Sequence, residues 1–143
     1  MIAVDTNILV YAHREDSAWH EPAEAVVRGL AEGRGAWGIP WPCVHEFLAI
    51  VTHPRIYKPP SPLSAALEQV EAWRESPTLS LLGENDDAWG LLKQLVVRSK
   101  VRGPQTHDAR IVAICRANGV RELWSADRDF SRFAFTVKNP LVS

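Results

Sequence analysis

Five short runs suited to buried strands, separated by longer stretches with helical spacing, most constrain what this chain can become. Ile2-Ala3-Val4 is an apolar triplet, and Ala36–Pro40, Thr78–Leu82, Glu122–Ser125 and a weaker Phe135–Val137 follow it. Between them, Thr6–His13 predicts a short helix. Ser17 precedes a second, with Pro22 in its first turn and Ala23, Val26, Val27 and Leu30 on one face. Pro42 opens a third helix, which ends before Pro54. Ser61-Pro62 caps a fourth through about Trp73, with Leu63, Leu67, Val70 and Trp73 as its inner stripe. Asn85 caps a fifth from Asp86 to about Lys100, the acids Asp86 and Asp87 suiting the helix dipole. Thr106 starts a sixth that closes at Gly119. Short apolar strands alternating with helices predict a parallel sheet covered on both faces, a three-layer α/β sandwich.

The size fits one domain, residues 1–143. A chain of 143 residues, 46% of them hydrophobic, can bury roughly 70% of its unfolded surface and needs no covalent staple. Cys43 and Cys115 are too few for a disulfide framework and lack metal-ligand spacing, which fits a reducing compartment. Asp5 interrupts the apolar N-terminus, unlike the core of a signal peptide. No apolar run approaches the ~20 residues of a membrane span. The expectation is a cytoplasmic protein with no membrane partner. The net charge of −1 conceals an asymmetry: residues 1–97 carry 7 basic and 13 acidic side chains, residues 98–143 carry 9 and 4. The C-terminal third therefore suits phosphate backbones, and Arg98, Lys100 and Arg102 form a small basic cluster within it.

In the third helix, Val44, Phe47, Leu48 and Val51 form one apolar stripe, while Glu46, Ala49, Ile50 and His53 form a second, largely apolar side. That pattern predicts packing on both sides, with Glu46 in or beside the interior. Residues 53–62 hold four prolines and read as a stiff, extended connection outside the core. Most of the six tryptophans are expected in the core or at a dimer interface, with packing preferred to base stacking for Trp41. His45 and His107 precede acids, and exposed helix-start positions are the preferred reading for both.

Ligands of open α/β sheets bind outside the carboxyl ends of the strands. Asp5 follows the first strand, Asp127 lies two residues beyond Ser125 with Asp129 close behind, and Asp108 and Glu46 lie in early turns of helices. Singly, each suits a cap or a turn. Together they converge on one edge. Two like charges ~4 Å apart repel by about 4 kcal/mol at an effective dielectric of ~20. Either some of the four remain protonated or a cation neutralises them. An oxygen-only donor set favours Mg²⁺ or Mn²⁺, ions that work on phosphates.

Val4-Asp5-Thr6-Asn7-Ile8-Leu9 resembles the opening of PIN-domain ribonucleases, and Val44-His45-Glu46-Phe47 and His107-Asp108-Ala109 resemble the blocks that carry their second and third acids. Ser125-Ala126-Asp127-Arg128-Asp129-Phe130 and the Asn139-Pro140 tail are similar to the closing part of many VapC-type toxins. The likeness runs the length of the chain in order and spacing. It implies a five-stranded parallel sheet flanked by helices, a Mg²⁺- or Mn²⁺-dependent endoribonuclease leaving 5′-phosphate and 3′-hydroxyl ends, a small VapB-like antitoxin, and a homodimer. By position it makes Asp5, Glu46, Asp108 and Asp127 the catalytic acids and metal ligands. Asp129 is the ambiguous member, either ligating, standing behind Asp127 or capping the turn into Phe130. Thr6 would support the pocket through its hydroxyl, and Arg98, Lys100 and Arg102 would meet substrate.

Other functions remain open at this point. A metal-dependent phosphohydrolase for a small phosphate ester shares the acids, although an aspartyl-nucleophile phosphatase would want an Asp where Asn7 stands. A non-catalytic module that binds RNA or protein shares them too.

Overall fold

The computed structural model describes residues 1–142; Ser143, the last residue of the expected domain, lies outside them. Ile2–Val4 (β1) runs through the middle of a five-stranded sheet ordered β3-β2-β1-β4-β5, with Trp37–Pro40 as β2, Leu79–Leu82 as β3, Glu122–Trp124 as β4 and Val137–Lys138 as β5. Every pairing is parallel. Centrality explains the composition: Ala3, Val4 and all of β2 are buried, so these strands carry no polar face. Gly38 is needed for close approach, since a Cβ there would lie 2.7 Å from the Leu82 side chain.

The helices are Thr6–His13 (α1), His20–Glu32 (α2), Trp41–Val51 (α3), Leu63–Arg74 (α4), Ala88–Ser99 (α5) and Gln105–Ala117 (α6). Among the described residues the architecture of six α-helices and five strands is the one expected. Beside the sheet, α6 buries Ala109 and the continuous run Ile111–Cys115. On α3, Phe47 packs edge-on against Trp73 of α4 with ring centroids 4.7 Å apart.

Several boundaries and faces differ from expectation. In α4, Leu63 and Leu67 are exposed, and Ala66 and Trp73 are the buried pair. The stripe that turns inward is the one that seats the large Trp73 ring against Phe47. Asp86 and Asp87 precede α5, because Asn85 Oδ1 accepts from Asp87 N at 3.0 Å in a turn ahead of the helix. The last strand begins at Val137, two residues later than expected. The proline-rich segment is folded by turns and bends instead of extended. The Arg14 guanidinium lies 4.2 Å from the Tyr57 ring centroid, and His13 and Arg14 both bond Ser61 Oγ, at 2.9 and 3.2 Å, which ties the segment down. Among the described residues, Trp37 and Trp73 are the buried tryptophans, and Trp19, Trp41 and Trp89 are exposed.

Candidate metal centre at the sheet edge

Strand β1 delivers Asp5 to the carboxyl edge of the sheet. Its backbone N–H donates to Trp124 O at 2.9 Å, extending the β1–β4 ladder by one bond. The side chain caps nothing, although Asp5 immediately precedes α1. Instead Oδ2 accepts from Ser125 Oγ at 2.7 Å, and Oδ1 lies 3.5 Å from the Cys43 thiol. Only 5% of Asp5 is exposed. Burial pushes its carboxyl from 3.8 to about 6, against the opposing hydrogen bonds from Ser125 and the Thr6 backbone, and Glu46 adds a smaller upward push. Burial likewise raises the Cys43 thiol well above its ordinary range, so it faces Asp5 as a neutral donor.

Ser125 is the hub of this edge, a role absent from the sequence reading. Besides donating to Asp5, its oxygen accepts from Asn7 Nδ2 at 3.2 Å and from Asp127 N at 3.0 Å, which saturates one hydroxyl. Asn7 Oδ1 in turn accepts from Ala126 N at 3.1 Å. The first turn of α1 and the end of β4 are thereby pinned together. Register carries the signal for Ser125: Val4 pairs with Trp124, so the next residues along, Asp5 and Ser125, are neighbours.

Asp108, Asp127 and Asp129 each offer an oxygen within 4.8 Å of the others. Asp108 is in the first turn of α6 and half-buried. Burial raises its carboxyl above the usual range, Asp127, Asp129 and Glu46 raise it further, and Arg132 partly opposes them. Capping falls to Asp127 and not to Asp129: Asp127 Oδ1 accepts from Asp129 N at 2.8 Å and starts the 3-10 helix Arg128–Arg132. Glu46 is exposed, contrary to the two-sided packing expected of α3. Its face opens onto a recess of about 290 Å³, shared with His45, His107 and Arg110. Both histidines are exposed, and Arg110 pairs with Glu84.

Among the described residues, none of Asp5, Glu46, Asp108, Asp127 or Asp129 forms an ion pair. The hydroxyl of Thr6, next along the chain from Asp5, is buried and has no hydrogen-bond partner beyond its approach to the Cys43 thiol. A cluster of carboxylates outside any salt bridge among the described residues, all oxygen donors, fits a hard divalent cation. Arg98, Lys100 and Arg102 lie near the α5–α6 turn, and Lys100 and Arg102 are exposed there; none of the three forms an ion pair with the acids. Arg98 borders a separate recess on α5 with Lys93 and Val97. The arginine whose charge acts on Asp108 is Arg132, which the sequence reading did not single out.

The PIN domain family model matches residues 2–136. Ribonuclease VapC48 of Mycobacterium tuberculosis is 32% identical over 129 residues, covering 90% of this chain and 89% of the relative. Ribonuclease VapC43 of the same organism is 32% identical over 133 residues, with 93% and 90% covered. Among solved structures, VapC20 of M. tuberculosis, described as a sarcin–ricin loop cleaving toxin, superposes with a TM-score of 0.69 at 20% identity, covering 95% of this chain and 97% of that one. FitAcB from Neisseria gonorrhoeae superposes with a TM-score of 0.68 at 18% identity, with 98% of each chain covered. The chain belongs to the PIN-domain family, among the VapC ribonucleases.

Proposed function

We propose that this protein is a divalent-metal-dependent endoribonuclease that hydrolyses RNA phosphodiester bonds, and that it is the toxin of a toxin–antitoxin pair. The observation that carries the reading is the trio Asp108, Asp127 and Asp129, each offering an oxygen within 4.8 Å of the others and none in a salt bridge among the described residues. Asp5 joins the trio through Ser125, which bonds both the Asp5 carboxylate and the Asp127 backbone. These four acids, with Glu46 facing them from α3, would hold Mg²⁺ or Mn²⁺. Such an ion supplies a Lewis acid for a phosphoryl oxygen and lowers the pKa of a ligated water.

The protein's own contribution is positioning. Ser125 and Cys43 hold the two oxygens of Asp5, so the buried carboxylate cannot turn away from the edge. The Asp127 cap fixes the turn that presents Asp129. Arg132, whose charge reaches Asp108, is a candidate for contacting the phosphate from the outer side. Arg98, Lys100 and Arg102 would meet the RNA backbone farther out, at the end of the sheet where α6 begins.

A VapB-like antitoxin and a homodimer belong to the same proposal. The family membership supports both, and a structure of VapBC2 from Rickettsia felis bound to a promoter DNA fragment superposes with a TM-score of 0.68 at 14% identity. A cytoplasmic location belongs to it as well, since cellular RNA is the substrate. No described helix is long and apolar enough to cross a membrane.

The test is incubation of the purified protein with total cellular RNA in Mg²⁺, in Mn²⁺ and in EDTA. Cleavage in either metal, absent in EDTA and absent for folded Asp108→Asn, is the expected result. RNA retention by the wild-type protein without any metal-dependent cleavage would replace this reading with a binding module.

A further inference from the structure

Beyond Asp127 the edge of the sheet opens into a cavity of about 450 Å³ that the carboxylate chemistry does not use. Its lining is divided by character. Phe133, Phe135 and Val137 are apolar, and Asp127, Arg128 and Asn139 are polar. Phe133 is buried and packs near Phe130, ring centroids 6.4 Å apart, so this wall belongs to the core. Phe135 is half-buried, and the Arg116 guanidinium, which also bonds Ala134 O, lies 5.8 Å from its ring centroid. Asn139 Oδ1 accepts from Leu141 N at 3.0 Å, which orients the amide and leaves its Nδ2 as the donating end. Arg128 is exposed.

We infer that this cavity receives the base of the nucleotide next to the scissile phosphate, with Phe135 stacking on the base and Asn139 Nδ2 donating to an acceptor on its edge. Three features select a nucleobase. The volume lies within the range of roughly 300–1,000 Å³ that holds small ligands. An aromatic wall with a few convergent polar groups is how single-stranded bases are bound, by stacking on the ring face and hydrogen bonding along the edge. The third is contiguity: Asp127 both borders the cavity and belongs to the carboxylate trio, so an occupant here is joined to a phosphate held there. Arg128 then has the charge to meet a flanking phosphate. The amide donor discriminates bases by the acceptors they present, making Asn139 a specificity-determining residue.

The inference rests on the ribonuclease reading for its biological sense, and two measurements separate the fate of each. In EDTA, the four nucleoside 5′-monophosphates are titrated into isotope-labelled wild-type protein, Asn139→Ala and Asn139→Asp, followed by NMR. Shifts concentrated at Phe133, Phe135, Val137 and Asn139, strongest for one base and weakened in Asn139→Ala, are expected. Cleavage sites on random RNA are then mapped for the same proteins. Wild type should prefer one base at a single position beside the cut. Asn139→Ala should relax that preference roughly 5-fold, the loss of one hydrogen bond of about 1 kcal/mol, and Asn139→Asp should disfavour the same base by exchanging donor for acceptor. Arg128→Gln, at an exposed position, should raise KM. Nucleotide shifts scattered elsewhere, or identical cleavage maps for wild type and both Asn139 variants, would overturn the inference. If wild type cuts no RNA, the functional reading fails, and the NMR titration still decides whether the cavity binds a base.

Discussion

Replacing Asp5 by Asn should stabilise the metal-free protein while destroying its activity. The carboxyl stands at about 6 in the folded chain against 3.8 for a free side chain, mainly because it is buried. At 1.36 kcal/mol per pKa unit, that displacement is worth about 3 kcal/mol. The sign follows from linkage. A carboxyl raised by folding contributes stability fully present below 3.8 and lost as pH rises through about 6. At pH 8 the wild-type protein therefore keeps an ionised group it has only partly solvated. The substituted carboxamide would be neutral at every pH. Its carbonyl oxygen can accept the Ser125 bond in place of Oδ2, and its amide nitrogen would face the Cys43 sulfur, a weak acceptor. That displacement is already net of the hydrogen bonds that Asp5 accepts, so Asp5→Asn should gain about 3 kcal/mol at pH 8. Urea unfolding of both proteins in EDTA, at intervals from pH 4 to pH 8, measures this directly. The variant's advantage should be small at pH 4 and grow with pH, most of the growth occurring by about pH 7. An advantage independent of pH, or a less stable variant at pH 8, would refute the argument that Asp5 is a desolvated carboxylate retained for a cation.

The same reasoning predicts that Mg²⁺ or Mn²⁺ raises the melting temperature of the wild-type protein, by about 2.7 kcal/mol of stability at a concentration 100-fold above its dissociation constant. Thermal scans of Asp108→Asn and Asp129→Asn should show little of that gain. Ser125→Ala removes the partner of Asp5 Oδ2, Asn7 Nδ2 and Asp127 N together. It should cost about 1–3 kcal/mol in urea unfolding and push the Asp5 carboxyl still higher, seen by NMR titration, because the Ser125 bond holds it down. Phe47→Ala should cost about 3–5 kcal/mol by the same unfolding assay, since Phe47 is fully buried between His13 and Trp73.

The layers of the fold were legible because the two periodicities are strong. Ile2–Val4 and Trp37–Pro40 have no polar face, so they had to be central strands. Faces of helices were less legible wherever two apolar stripes lie side by side. In α4, Leu63 and Leu67 match the spacing as well as Ala66 does, yet Ala66 is buried and the leucines are exposed. Residue size misleads here, because the contact of Trp73 with Phe47 across the helix pair fixes the rotation. Glu46 shows the converse. Its neighbours on α3 are apolar, but what faces it is the open recess shared with His107 and Arg110, which lie far along the chain.

The candidate site divides along the same line between chain-local and tertiary information. That acids gather at one edge follows from parallel topology, because strand ends and the starts of returning helices share that edge. Which acid does what does not follow. Asp127 and Asp129 are two residues apart and chemically alike, and only the backbone path after β4 decides that Asp127 receives the Asp129 N–H. The cap spends one lone pair of Asp127 Oδ1 and leaves both oxygens of the exposed Asp129 uncommitted by any hydrogen bond among the described residues. A carboxylate with two open oxygens can follow a substrate-bound ion more freely than one anchored by a cap. Removing Asp129 should therefore weaken metal binding while the turn survives, whereas Asp127→Ala should also loosen the 3-10 helix, a difference that metal titration together with amide exchange at residues 128–132 would reveal.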